Sequence, residues 1–167
     1  MLGSSPGARA QGAVPYSQQI YLMKTLKPSI KTIGVMGSGL SDETIELIAR
    51  AAAGQGVGIF VARPQDAKEI GPLYKKLTIE KAAEIIWIPE ANDKLMAGVG
   101  FEYLRENALL DKIGLCVPTR ALVGDGALCN FQNQEGQLTA FVNKRIAEMV
   151  GASIPAAAGT TVAYVVK

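Results

Sequence analysis

Residues 31–62 read KTIGVMGSGLSDETIELIARAAAGQGVGIFVA, and this stretch decides the fold. Lys31-Thr-Ile-Gly-Val-Met36 is a short aliphatic and β-branched run, stopped by Gly37-Ser-Gly39. Ser41 is the residue type that caps a helix, and Asp42 and Glu43 follow where the positive end of a helix dipole favours carboxylates. Ile45, Ile48, Ala49 and Ala52 keep the i, i+3, i+4, i+7 spacing of a helix face, and Gly54 and Gly56 end it. Val57 to Ala62 supplies a second strand.

The alternation continues toward the C-terminus. A helical stretch is predicted between Asp66 and Lys81, interrupted or restarted at Gly71-Pro72. Glu84 to Ile88 is a third strand, closed by Pro89, and Asp93 to Leu110 a long helix weakened by Gly98 and Gly100. Ile113 to Val117 is a fourth strand, and a short helical turn at Arg120–Val123 leads to a fifth, Ala127 to Phe131. Gln134-Glu-Gly136 marks a turn, Leu138 to Val150 a helix ended by Gly151, and Thr161 to Val166 a final strand. Strands alternating with helices at this spacing predict a doubly wound α/β domain with a mostly parallel sheet of five to six strands. It occupies residues 30–167, behind a tail at 1–29.

Composition narrows the chemistry. A chain of 167 residues with 49% apolar and 19% charged residues is one ordinary globular domain. Its net charge of +2 gives no argument for nucleic acid or an acidic membrane surface. No apolar run approaches the length of a membrane span. The chain has no His, which excludes a Ser-His-Asp triad, a Cys-His pair and His-ligated metal. Its two Cys are too few for a Cys-only zinc site. Cys116 and Cys129 lie in apolar runs and form no C-x-x-C pair, so they read as buried thiols, with a structural disulfide as the alternative. No metal and no cofactor is expected.

Ala8-Arg9-Ala10 before Gln11 has the A-x-A form of a secretory cleavage site, while a charged start and an apolar core are not visible before it. The stretch reads as a signal-peptide remnant and implies a periplasmic, exported protein; the plain alternative is an Ala-rich tail.

Doubly wound sheets bind ligands beyond the carboxyl ends of their strands. That rule selects Ser38, Gly39 and Ser41 after the first strand and Arg63 after the second, with Glu90 and Asn92 after the third and Thr119 after the fourth. Each is equally compatible with a satisfied loop or cap residue. The Gly37–Ser41 loop suits a ligand carboxylate, with backbone N–H groups and the Ser38 and Ser41 hydroxyls as donors and Arg63 as a charged partner. A dinucleotide enzyme is disfavoured: Asp42 replaces the third glycine of G-x-G-x-x-G, and no Tyr is followed four residues later by Lys. A flavin reading lacks paired aromatics, and a P-loop lacks G-K-[ST].

Three stretches carry a family resemblance. Lys31 to Glu43, then Ala67-Lys-Glu-Ile70 with Leu73 and Leu77, then Leu138-Thr-Ala-Phe-Val-Asn143 with Ala147 and Gly151-Ala-Ser-Ile-Pro155 resemble the ABC transporter substrate-binding protein family of two-lobed periplasmic clamshells. Ala83 to Pro89 and Lys112 to Pro118 match its third and fourth strands in type and spacing. The match is to the C-terminal lobe, here as a single lobe. Gly-Ser-Gly stands where the family has an asparagine-proline-serine-glutamate turn. The resemblance implies a non-enzymatic solute-binding or sensing lobe with a small-molecule ligand, working as a homodimer or beside a transporter or sensor protein. The alternative is a degenerate lobe serving as a protein-docking module; a flavin or dinucleotide protein is a distant third.

Overall fold

The structure, a computed structural model, describes residues 14–156 and 162–167. Helix α1 (Tyr16–Leu26) comes first, behind Pro15, and buries Ile20, Leu22, Met23 and Leu26. The expected tail is therefore a packed helix over these residues, and its apolar spacing at 20, 23 and 26 supplies the reason. The A-x-A stretch lies outside the described residues.

Strand β1 (Thr32–Met36) leads to α2 (Asp42–Ala53) and β2 (Gly58–Ala62), as the sequence predicts. Helix α3 (Ala67–Lys75) runs through Pro72 and continues into a π-helical turn at Lys76–Glu80. Strand β3 (Ile85–Trp87) follows. The long helix expected from Asp93 is two helices, α4 (Lys94–Ala97) and α5 (Val99–Leu110), parted at Gly98 with φ −101° and ψ −109°. Strand β4 (Gly114–Cys116), α6 (Arg120–Gly124) and β5 (Cys129–Gln134) come next.

The helix expected over Leu138–Val150 is divided. Its first part is strand β6 (Gln137–Val142), its second the helix α7 (Lys144–Val150). Glu135 and Gly136 both have positive φ, 51° and 81°. That backbone makes a two-residue hairpin turn whose twist matches paired strands, so the chain returns antiparallel to β5, with Gln134 opposite Gln137. Asn143 then caps α7 through the Ile146 N–H. Strand β7 (Ala163–Val166) completes the sheet.

Among the described residues the sheet has seven strands, in the order β2-β1-β3-β4-β5-β6-β7. All neighbours are parallel except β5 and β6. The fold is α/β with a mostly parallel sheet, and β6 takes the strand number above the expected five to six. Alternate residues of β3 and the residue after it feed two separate cores: Ile85 and Trp87 pack with α1, α2 and α7, while Ile86 and the following Ile88 pack with α3 and α5. Each such side chain removed from water contributes about 1.5–3 kcal/mol. Cys116 and Cys129 are opposite each other on β4 and β5 and are free and buried.

Candidate functional site

Chain order reverses between β1 and β3, since β2 lies on one side of β1 and β3 on the other. A crevice at such a reversal is where doubly wound sheets take ligands. Here the chain crosses it with its own polar groups. The Ser38 backbone N–H and hydroxyl donate to the two carboxylate oxygens of Asp93, each at 2.7 Å. Asp93 is only 6% exposed and also caps α4, accepting from Met96 N–H at 3.1 Å. The donors expected to meet a ligand carboxylate thus already hold one.

The other rim residues are distributed as follows. Ser41 caps α2 by accepting from Thr44 N–H, and its hydroxyl donates to the Thr44 hydroxyl. Arg63 pairs with Asp42 at 2.6 Å in an exposed ion pair. Gly39 and Asn92 are exposed, and Glu90 is half-buried. Thr119 stands at the start of α6 without a side-chain capping bond. Ser38, Ser41, Glu90 and Asp93 come together around the β1 and β3 ends. Arg63 is spent on α2, and Thr119 belongs to the next strand end.

An open cleft lies one strand further along, beside α1. It has a volume of about 490 Å³ and is lined by Val14, Tyr16, Pro89, Pro118, Asn130 and Phe131, with Ala91 at its edge. Pro89 and Pro118 follow β3 and β4, which stop there because proline cannot donate to the ladder. Tyr16 reaches the cleft from the first turn of α1 and packs edge-on against Trp87, ring centroids 5.7 Å apart. Burial, and then the negative charge of Glu90, raises the Tyr16 phenol above its ordinary pKa, while the Thr44 hydroxyl bonding to it acts the other way. The phenol is therefore neutral at physiological pH.

Asn130 is the residue that sequence reasoning missed. It is 1% exposed on β5. Its Nδ2 donates to the Val117 carbonyl at 2.8 Å. Its Oδ1 is buried and has no partner among the described residues. It alternates with Phe131 and stands opposite Phe141 on β6, so its side chain lies on the Phe141 face of the sheet, away from Val14 and Tyr16. The signal in the sequence was an amide inside the apolar run Leu128-Cys-Asn-Phe131, ahead of the polar end Gln132-Asn-Gln134 of the strand.

A second hollow, of about 360 Å³, lies on the opposite face of the sheet, where Arg120 stacks 4.4 Å over the Phe141 ring. Among the described residues, none of those lining it has an orphaned side-chain polar atom, and the buried Asn130 side chain lies on this same face. No helix of the described residues is long and apolar enough to cross a membrane.

No protein-family model matches the sequence, and no curated protein matches it either. Solved structures do resemble the fold. An ABC domain from Streptococcus pneumoniae in complex with L-Trp superposes with a TM-score of 0.74 and 22% identity, over 90% of this chain and 62% of that one. A conserved domain protein from Vibrio cholerae gives a TM-score of 0.74 and 18% identity, over 93% and 61%. The ligand-free, open form of a substrate-binding protein with adhesive properties from Clostridium difficile gives 0.69 and 17%, over 92% and 60%. The chain spans about three fifths of the length of each. Its fold is that of part of an ABC substrate-binding protein, a lobe-like unit built on a seven-stranded mixed sheet.

Proposed function

We propose that this chain is a non-enzymatic solute-binding or sensing lobe that holds a small molecule in the cleft between α1 and the β3, β4 and β5 ends. The observation that carries the reading is the cleft itself, of about 490 Å³, with Val14, Pro89, Pro118 and Phe131 in its walls and Tyr16 on its lining beside α1. Ligand clefts are mostly apolar with a few placed polar groups, and this one fits that description in size and lining. The fold shared with substrate-binding proteins supports the same conclusion. Export to the periplasm belongs to the proposal through Ala8-Arg9-Ala10, and cell fractionation of the native gene product checks it.

A cleft of this kind covers one side of a ligand, whereas ligand sites bury most of their occupant's surface. The lobe therefore works with a second surface, either another copy of the chain or a transporter or sensor protein. A thermal-shift screen against a metabolite library tests the reading. A ligand at about a hundredfold above its dissociation constant adds about 2.7 kcal/mol, a midpoint rise of roughly 5–10 °C for a chain of this size. The rise should shrink in Tyr16→Ala, since the Tyr16 side chain is on the lining of the cleft. If no compound moves the midpoint, a protein-docking lobe replaces this account.

A further inference from the structure

We infer that the hollow beside α6, on the face of the sheet away from the cleft at Tyr16, is a second small-molecule site, selective for a carboxylate on an apolar body. This site is independent of the small-molecule reading of that cleft. The hollow measures about 360 Å³, within the range of small-ligand sites. Phe141 of β6 and Val165 of β7 are opposite each other in the sheet, and Val123 of α6 packs into the same core, so the three make an apolar floor. Phe141 and Val123 are buried, while Arg120, Ala121 and Gly124 along the edge are exposed. A ligand there gains by covering apolar surface while its polar head stays at the rim.

The charge around the hollow sets the head group. Arg50, Arg63 and Arg105 each hold a carboxylate of the chain. Arg120 holds none: among the described residues it has no ion pair and no side-chain hydrogen bond, and its guanidinium stands 4.4 Å from the centre of the Phe141 ring. The ring contact positions the cation and leaves its N–H fork free for a planar, two-oxygen partner. Lys167 adds a second cation. Its N–H donates to the Val142 carbonyl at 3.0 Å and extends the pairing of β7 with β6, so alternation puts its side chain on the face of Val165. Its carbonyl is turned to α7, accepting from the Lys144 N–H at 2.7 Å. No Asp or Glu lines the hollow, Asp125 just past α6 included. Two cations over an apolar floor, without a counter-charge on the lining, are complementary to an amphipathic anion.

Three probes of one length separate the terms. Hexanoate carries the negative charge, hexanamide is its neutral counterpart, and hexylamine is cationic. Each is titrated at low salt into the ¹⁵N-labelled full chain while the amide signals of Val123, Gly124, Phe141 and Val165 are followed, with Ala91 and Phe131 reporting on the cleft at Tyr16. Hexanoate should bind about tenfold more tightly than hexanamide, as expected for a charge-assisted hydrogen bond, and hexylamine should shift nothing at the hollow. Arg120→Gln should reduce that preference, and Arg120→Gln combined with Lys167→Gln should abolish it; both positions are exposed. Equal binding of hexanoate and hexanamide to the wild type, or a hexanoate preference that survives in the double variant, overturns the carboxylate inference. Shifts confined to Ala91 and Phe131, or no shift with any probe at millimolar concentration, overturn the second site, whether or not the cleft takes a ligand.

Discussion

Asp93 is the polar residue whose loss the structure makes most costly. Its two oxygens take the Ser38 N–H, the Ser38 hydroxyl and the Met96 N–H, and the residue is nearly buried. Asp93→Ala removes the cap of α4, worth about 1 kcal/mol. It also removes two hydrogen bonds to a charged acceptor, worth about 1.5–3 kcal/mol each in favourable settings. Ser38 is only half-buried, so water recovers part of that, and a loss of about 3 kcal/mol is expected. For a chain of this size the midpoint should fall by about 6–12 °C. Asp93→Asn keeps one acceptor and places an amide N–H₂ against a donor, so it should fall between wild type and Ala. Urea denaturation of Ser38→Ala, Asp93→Ala and the double variant isolates the pair, and the coupling energy should exceed about 1 kcal/mol. A coupling near zero, or a loss in Asp93→Ala no larger than an ordinary surface substitution, would refute the idea that this clasp closes the crevice between β1 and β3.

Asn143→Ala should cost about 2 kcal/mol by urea denaturation, because the side chain caps α7 and also donates to the Val123 carbonyl at 3.0 Å. Arg63→Ala should change stability by under about 1 kcal/mol and leave ligand binding intact, since its exposed pair with Asp42 is the kind that contributes little. Burial, and then the bond to Cys129, holds the Cys116 thiol well above its usual pKa; both thiols should resist a thiol reagent until the chain unfolds. Stability should begin to decline as pH rises past about 9, where an unfolded thiol ionises and buried Cys116 does not, and decline further past about 10. Burial, and then the hydrogen bond to Asp111, raises the Tyr74 phenol, and burial raises Tyr16 and Tyr164. The native state keeps protons that the unfolded chain releases, so the unfolded state binds fewer and gains on alkalinisation. Coincident phenolate absorbance titrations of native and denatured protein would contradict this.

The segment from Lys31 to Ala62 was legible because every local signal agreed: a β-branched run, glycines, a Ser cap, acidic residues in the first turn and a helical apolar face. Leu138–Val142 was misread because Leu138, Phe141 and Val142 satisfy helical spacing as well as strand alternation. The deciding information was the conformation of Glu135 and Gly136, which only the paired hairpin reveals. Helix α1 was missed because it has no side-chain cap and lies behind Pro15, though its buried residues kept a helical period. At the site, the strand-end rule found Ser38, Ser41 and Glu90, but not which partner fills which donor. Ser38 and Asp93 are 55 residues apart, and nothing local in the sequence shows that one satisfies the other.

Mapping a bound ligand onto the chain tests the central claim most directly. A metabolite that raises the melting midpoint should be titrated into ¹⁵N-labelled protein and its contacts located by resonance shifts. The account predicts that the shifts centre on Tyr16, Ala91 and Phe131 and are weakened in Tyr16→Ala, with the Gly37–Ser41 loop little affected. Shifts centred instead on Gly37–Ser41 and Arg63, with Tyr16, Ala91 and Phe131 unmoved, would contradict it.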